Sequence, residues 1–333
     1  MSRALDPSVK IALQNGNPKE SFERISTVLV SSQETYLEIE ILPSSHVLDH
    51  DTYLLQDAGY IGIPKMRLVQ AFLHARQILN CVLFHNKSID DEVVMKATAV
   101  TLLMDSEHLT AANVRKRVLT RGTSLGERRR EDLIRETFLM NSLLSSRLHR
   151  HTKSPVLWNH KRWLLRQLRD GETPVRLLHE FEQVICVAAE RHARNYYAWT
   201  YARDVIAMEC ASPTQQASSV ADSILPIVTK WCRLHHQDIS GWSFLLHLVM
   251  LFPDKAQGVA EETLSLVEKF KWRNESVWHF LRNLVLMPII QTKKSCVAEC
   301  VAEVWTKMKL GVEDDTSLEA ITLDRAAAWG NFK

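Results

Sequence analysis

The chain has 333 residues, of which 46% are hydrophobic and 24% charged, and its net charge is +2. That length exceeds what one hydrophobic core usually fills, so two domains or a repeat array is expected, and so small a net charge excludes the broad electrostatic footprint of a nucleic-acid binder. Only 10 glycines, well under the usual share of about 7%, favour helix, and the scattered cysteines Cys81, Cys186, Cys210, Cys232, Cys296 and Cys300 fit reduced cytosolic thiols better than a disulfide frame.

Met1 to Lys19 carry no apolar signal core. The longest apolar stretches, such as Phe244 to Phe252, are too short to span a bilayer, so a soluble, unsecreted, cytoplasmic chain is expected. Residues 1–64 read as a partly irregular N-terminal extension. It holds an amphipathic helix over Pro18 to Leu29, a short extended piece over Glu38 to Pro43, and a loop from Ser44 to Pro64 punctuated by Pro43, Gly59, Gly62 and Pro64. Residues 65–330 read as one continuous array of helical hairpins. Lys65 to Phe84 carries a helical stripe through Met66, Val69, Phe72, Leu79 and Val82, and Ser88 to Met104 opens on a capping signal. The first helices of later units run about Glu127 to His149, Pro174 to His192, Gln215 to His235 and Lys255 to Phe270. Their partners run about Ser154 to Arg169, Tyr196 to Glu209, Ile239 to Phe252 and Glu275 to Ile290. Two last helices, about Lys293 to Lys309 and Thr316 to Trp329, close the array.

The array is legible because one short pattern returns. Trp158, Trp199, Trp242 and Trp278 follow one another at intervals of 41, 43 and 36 residues, and an earlier copy has Ala112 at the reference position, 46 residues before Trp158. A period in that range marks stacked helical hairpins. Four residues after the reference position stands Lys116, Arg162, Arg203 or Arg282, with Leu246 the exception. One helical turn separates the two, so they share a face. The repeated Trp residues read as core wedges between stacked helices, and the bases as structural partners of turn carbonyls or acids.

Other motifs read more plainly. Glu127-Arg-Arg-Arg130-Glu-Asp is a solvated helix start with local ion pairs. Cys296 and Cys300 have metal-ligand spacing but no companion cluster, and His235-His236 with Asp238 lacks a third ligand, so no metal site is assigned. From Asn141 to Arg169 there is no Asp or Glu, whereas seven Lys and Arg residues and three His are present; an anionic ligand or an acidic partner surface suits that run.

Asn195-Tyr196-Tyr197-Ala-Trp199-Thr-Tyr-Ala-Arg203 and Leu157-Trp158-Asn-His-Lys161-Arg162-Trp163 resemble the Pro-x-Asn-Tyr-x-x-Trp-x-x-Arg-Arg signature of protein prenyltransferase α subunits, over roughly residues 65 to 290. Thr110-Ala-Ala-Asn-Val-Arg-Lys116, Lys153-Ser-Pro and the Ile-Leu-Pro of the N-terminal segment are similar to the branch of prenyltransferase α-subunit repeat-containing proteins. The resemblance implies an all-α fold, an alpha-alpha superhelix of helical-hairpin repeats. It also implies a subunit that is not active alone. The partner β subunit, of the Rab geranylgeranyltransferase β type, would hold the catalytic zinc and the isoprenoid tunnel; this chain would hold no cofactor. Geranylgeranyl diphosphate would be the cosubstrate, and a protein with a C-terminal cysteine, such as a SNARE, the acceptor.

Carried over residue by residue, the resemblance gives Lys153, five before Trp158, the place of a lysine near the isoprenoid diphosphate. An ammonium there would stabilise charge on the departing diphosphate. Pro155 stands where the family has a Tyr. Tyr196 keeps that position in the next repeat, Tyr197 stands where a His is common, and Arg194 lies five before Trp199, so these three are candidate substrate contacts. The alternative is a non-catalytic tetratricopeptide-like scaffold for protein interactions. Such units keep a tight 34-residue period and lack the base four after the Trp, whereas the uneven intervals here favour the subunit. Loss of the Trp at Ala112, the base at Leu246 and the Tyr at Pro155 keeps the scaffold in view.

Overall fold

A computed structural model of the chain describes residues 16–31, 35–43, 52–84, 89–121, 127–170, 176–211, 217–288, 290 and 297–331. The described residues are predominantly helical with three short strands, an all-α fold of the helical-hairpin repeat class. They fall into two compact units, Met1–Arg176 and Leu177–Lys333, so the division lies inside the stretch expected to form one array.

In the first unit, helix α1 (Pro18–Val30) starts where the expected amphipathic helix does, with Pro18 at its first position and the Asn17 side chain accepting from the Glu20 amide at 3.1 Å. Phe22, Ile25 and Leu29 bury one face of it against α2 (Lys65–Phe84) and α3 (Asp91–Met104). Ser21 Oγ donates to Gln70 Oε1 across that contact at 3.0 Å. The N-terminal segment is therefore part of the unit's core. Between α1 and α2 lies a three-stranded sheet of order β1-β3-β2, with β1 (Glu38–Leu42) parallel to β3 (Tyr60–Pro64) and β2 (Leu55–Asp57) antiparallel to it.

The expected loop from Ser44 to Pro64 is thus corrected at its second half, which forms β2 and β3. Gly62 and Pro64 read as breakers, yet Gly62 is the residue that the central strand needs. A Cβ there would meet Leu42 Cδ1 at 3.1 Å and Leu55 Cβ at 3.5 Å. Ile39, Ile61 and Ile63 bury one face of the sheet. Helices α4 (Leu109–Arg121), α5 (Glu127–Leu144) and α6 (Pro155–Asp170) complete the unit. Helix α5 ends five residues before the expected His149. Ser145 Oγ and Ser146 Oγ donate back to the carbonyls of Asn141 and Leu143 at 2.7 and 2.8 Å, and such local bonds compete with a further helical turn.

The second unit runs through α7 (Leu177–Glu180), a π turn (Phe181–Ile185), α8 (Cys186–Arg191), α9 (Tyr196–Cys210), α10 (Ala217–Leu234), α11 (Ile239–Leu251), a 3-10 turn (Pro253–Lys255), α12 (Ala256–Phe270), α13 (Glu275–Val285), α14 (Val297–Leu310) and α15 (Leu318–Gly330). The single helix expected over Pro174 to His192 is interrupted by the π turn, and the one expected over Glu275 to Ile290 stops at Val285.

Trp158, Trp199, Trp242 and Trp278 are each at most 1% exposed. Three of them close the turn that precedes their helix by donating the indole N–H to the carbonyl six residues earlier. Trp158 reaches Thr152 at 2.9 Å, Trp242 reaches His236 at 3.0 Å and Trp278 reaches Trp272 at 2.9 Å. Trp199 is different: its indole N–H is buried without a hydrogen-bond partner among the described residues, and the ring lies edge-on to Trp231 at 4.9 Å. Successive repeats of the second unit also interlock through these rings. Trp199 stacks on Phe244 at 5.1 Å and Trp242 packs on Phe280 at 5.2 Å, the aromatic in each case lying two residues beyond the next Trp.

The reference position minus four caps the second helix in all five copies. Ser154, Asn195, Asp238 and Asn274 accept from amides of the first turn through side-chain oxygens, and His108 accepts through Nδ1 from the Ala111 amide at 3.1 Å. Substitution by Phe should separate the four Trp residues in denaturant titrations. Trp158→Phe, Trp242→Phe and Trp278→Phe each remove an indole bond to a turn carbonyl and are expected to cost about 1–3 kcal/mol more than Trp199→Phe, which breaks no such bond.

Candidate functional site

Lys153 lies in the turn between α5 and α6, half-buried, one residue before the Ser154 cap. Its neighbours are held on both sides. Ser154 Oγ donates to the Ser106 carbonyl at 2.8 Å, and the Trp158 indole takes the Thr152 carbonyl. His151 Nε2 sits 3.0 Å from the carbonyls of both Leu102 and Leu103. Burial holds the pKa of His151 below its ordinary value even though those two carbonyls pull the other way. The turn carrying Lys153 is therefore tied to the preceding hairpin at three points. Pro155 opens α6 at its first position, where its missing N–H costs nothing, so this repeat has no hydroxyl at the place of the family's Tyr.

In the second unit, Arg194, Tyr196 and Tyr197 gather at the corresponding turn. Arg194 is exposed and adopts φ 57°, in the left-handed region. Its amide donates to Asp238 Oδ2 of the next repeat at 2.6 Å, while the other oxygen of Asp238 caps α11. Asn195 caps α9 and its Nδ2 donates to the Ala188 carbonyl at 3.1 Å. Tyr196 is 51% exposed, and its ring lies 4.2 Å from that of Tyr197. One exposed and one half-buried phenol ring, with exposed Arg194 two residues away in sequence on a turn that the next repeat anchors, are residue types suited to an anionic or amphipathic ligand.

The bases four residues past each reference position have diverse surroundings. Arg203 donates to the carbonyls of Trp199 at 3.4 Å and of Ser243 in the next repeat at 3.2 Å. Arg282 pairs with Glu275 at 3.0 Å and lies over the Trp329 ring at 5.8 Å. Lys116 lies 6.0 Å from the centre of the Trp163 ring. Arg162 is half-buried in α6.

The tempting His and Cys groupings are occupied by structural work. His235 stacks on Trp231 at 4.2 Å with Nδ1 on the Trp231 carbonyl, and His236 stacks on Trp272 at 4.7 Å while facing Asn274 Nδ2 at 3.0 Å. Cys300 is half-buried in α14, and Cys296 lies outside the described residues. Among the described residues no three His, Cys, Asp or Glu side chains come together as a metal site.

Motif reading missed a buried polar centre in the first unit. Glu136 of α5 receives Arg115 of α4 in a two-pronged pair, with Nε on Oε1 at 2.8 Å and Nη2 on Oε2. His160 Nε2 of α6 lies 2.7 Å from Glu136 Oε1, and Arg115 Nη1 donates to Thr98 Oγ1 and the Met95 carbonyl of α3 at 2.8 and 2.5 Å. Three helices thus meet on one carboxylate, and α3 holds the Arg115 that pairs with it. Burial alone would raise the Glu136 pKa, but the Arg115 charge, aided by the bonds from His160 and Arg115, holds it down at about 2. Burial lowers the His160 pKa against the pull of Glu136. A signal was present: Glu136 stands on the apolar stripe of α5 with Leu133, Met140 and Leu143. An acid there requires a buried partner.

The family model described as the ECM9 middle domain matches residues 157–270. The chain is 27% identical over 192 residues to protein prenyltransferase alpha subunit repeat-containing protein 1 of Danio rerio, covering 52% of this chain and 42% of that protein. It is 27% identical over 175 residues to the Homo sapiens protein of the same name, covering 46% and 39%. It is 30% identical over 135 residues to geranylgeranyl transferase type-2 subunit alpha of Candida albicans, covering 39% and 35%. The chain spans about two fifths, 35% to 42%, of the length of these curated relatives. The likeness to prenyltransferase α subunits read from the repeats is borne out by them.

The buried centre should govern acid stability. From the ordinary carboxylate value of 4.5 down to about 2, the native state binds fewer protons at Glu136 than the unfolded state, so stability is full above that window and drains through it as pH falls. His160, kept neutral, starts a shallower loss below its ordinary value of 6.5. Glu136→Gln leaves the Arg115 charge buried without its counterion and is expected to cost about 3–5 kcal/mol near neutral pH. Urea titrations across pH should also show the variant losing less stability than wild type between pH 4.5 and 2.

Proposed function

We propose that this chain is the α-type subunit of a heterodimeric protein prenyltransferase, inactive alone, and that the group transferred to a C-terminal cysteine of an acceptor protein is geranylgeranyl. The observation that carries this reading is the anchored repeat turn bearing Lys153, in a chain that is 30% identical over 135 residues to a geranylgeranyl transferase type-2 α subunit. In the reaction proposed, the acceptor thiolate forms a carbon–sulfur bond to geranylgeranyl diphosphate. The carbon–oxygen bond breaks, and the diphosphate leaves with the electron pair. Zinc held by the β subunit, of the Rab geranylgeranyltransferase β type, would supply the activated thiolate. This chain's part is electrostatic and positional.

Lys153 would place its ammonium on the departing diphosphate, where water exclusion by the partner strengthens the interaction. Arg194 would add a second charge, and Tyr196 and Tyr197 an aromatic surface for the prenyl chain or the acceptor. A SNARE-type protein is the acceptor class that this reading favours, in the cytoplasm. Among the described residues no helix is long and apolar enough to cross a membrane.

A second reading has specific support. Pro155 at the head of α6 removes the hydroxyl from the Lys153 repeat, and Leu246 takes the place of a base. A tetratricopeptide-like scaffold that binds protein without chemistry would tolerate both changes. Co-expression with a Rab geranylgeranyltransferase β subunit, followed by a geranylgeranyl diphosphate transfer assay, separates the two. The subunit reading expects transfer by the complex and a loss of about tenfold or more in kcat for Lys153→Ala, within the range found for single charge-stabilising donors. A complex that forms but transfers nothing at any acceptor concentration would leave the scaffold.

A further inference from the structure

Helices α4 and α6 pack against each other, and the only acidic residue in either is Asp170 at the very end of α6. The bases of these helices whose side chains are described fall into two groups. Arg115 is consumed inside by Glu136, while Lys161 and Arg162 are buried or half-buried and engaged in contacts. Lys116, Arg117, Arg121 and Arg166 form the second group, and none of them makes an ion pair with an acid among the described residues. Lys116 lies over half-buried Trp163, 6.0 Å from the ring centre. Its pKa is lowered by burial and then by the charge of Arg166, with no acid acting in the other direction.

Several other bases of the molecule do have acids beside them. Lys96 pairs with Glu23 and Glu92, Arg273 with Glu319, Lys309 with Asp315 and Asp324, and Lys307 with Glu268. Two adjacent like charges without a counterion oppose folding, so the α4/α6 arrangement gains nothing for the isolated chain.

We propose that the α4/α6 face is a docking surface for an acidic protein segment, with carboxylates seated on Lys116 and Arg166, on Arg117 and Arg121 at the edge, and an apolar side chain against Trp163. The charge complementarity is specific in form. Lys116 and Arg166 emerge from the middles of their helices, not from N-termini, so no free backbone amides converge there to wrap a compact phosphate. The bases are spread over two helices whose axes lie roughly 8–10 Å apart. Carboxylates distributed along a protein surface match that spread, and the half-exposed indole adds the apolar contact typical of such interfaces.

The test uses the full chain and an amphipathic peptide of about 20 residues, ~30 Å as a helix, carrying Glu one turn apart and a Leu stripe. Wild type should bind it with affinity that falls as salt rises. Lys116→Glu with Arg166→Glu should bind at least about tenfold more weakly, and Arg325→Glu, an exposed base of the second unit, as wild type does. Lys116→Glu alone replaces repulsion from Arg166 by attraction, so it should keep or raise Tm, by up to about 4 °C. Equal binding by the double variant, no binding by wild type, or a fall in Tm for Lys116→Glu would each overturn the proposal. So would retention of inorganic diphosphate or of phosphatidylserine vesicles by Lys116 and Arg166 in place of the peptide.

Discussion

A helix start leaves amides without partners and a turn leaves carbonyls without partners, and the repeats of this chain satisfy both at one place. The side chain four residues before the reference position takes the amides, and in three copies the buried indole takes a turn carbonyl. Both groups are fixed within one turn of sequence, so each hairpin sets the direction of its second helix locally. Stacking then follows from the same residues. Asp238 caps its own helix and holds the Arg194 amide of the preceding repeat, Ser154 reaches back to Ser106, and Ser276 reaches back to Gln237. Lys153, Arg194, Tyr196 and Tyr197 all sit on or beside these turns. A rigid turn is what a charge needs in order to act at a defined point.

Much of this was legible in the sequence because it is periodic and local. The Trp spacing located the second helices, whereas the cap four residues before each reference position, kept as Ser, Asp, Asn or His, emerged only with the structure. What escaped was set by partners distant in sequence. Gly62 and Pro64 look like loop residues until β1 and β2 close on either side of the strand. The helical pattern of α5 runs past its true end to Leu148, and the serine hydroxyls at 145 and 146 decide where it stops. Glu136 marks itself on the apolar stripe of α5, but the stripe does not name its partners. Its meaning comes from Arg115 and His160, 21 and 24 residues away along the chain.

The charges divide by the same logic. Inside the first unit, a carboxylate without Arg115 would be too costly to bury ionised, and its depressed pKa records how completely that partner compensates. On the α4/α6 surface no acid is supplied, although the same helices contribute the buried Arg115 and His160. One pair of helices therefore balances its charge toward the core and leaves a positive excess toward the outside. An isolated solenoid gains little from such an excess, whereas a subunit shaped for a partner can use it on encounter.

The proposal that this chain is one half of a heterodimer is tested most closely by direct association. Sedimentation equilibrium of the purified chain mixed with a Rab geranylgeranyltransferase β subunit measures that association without reference to activity. The account predicts a single species at the summed mass of one copy of each at micromolar concentration. Two species sedimenting independently at that concentration would contradict it.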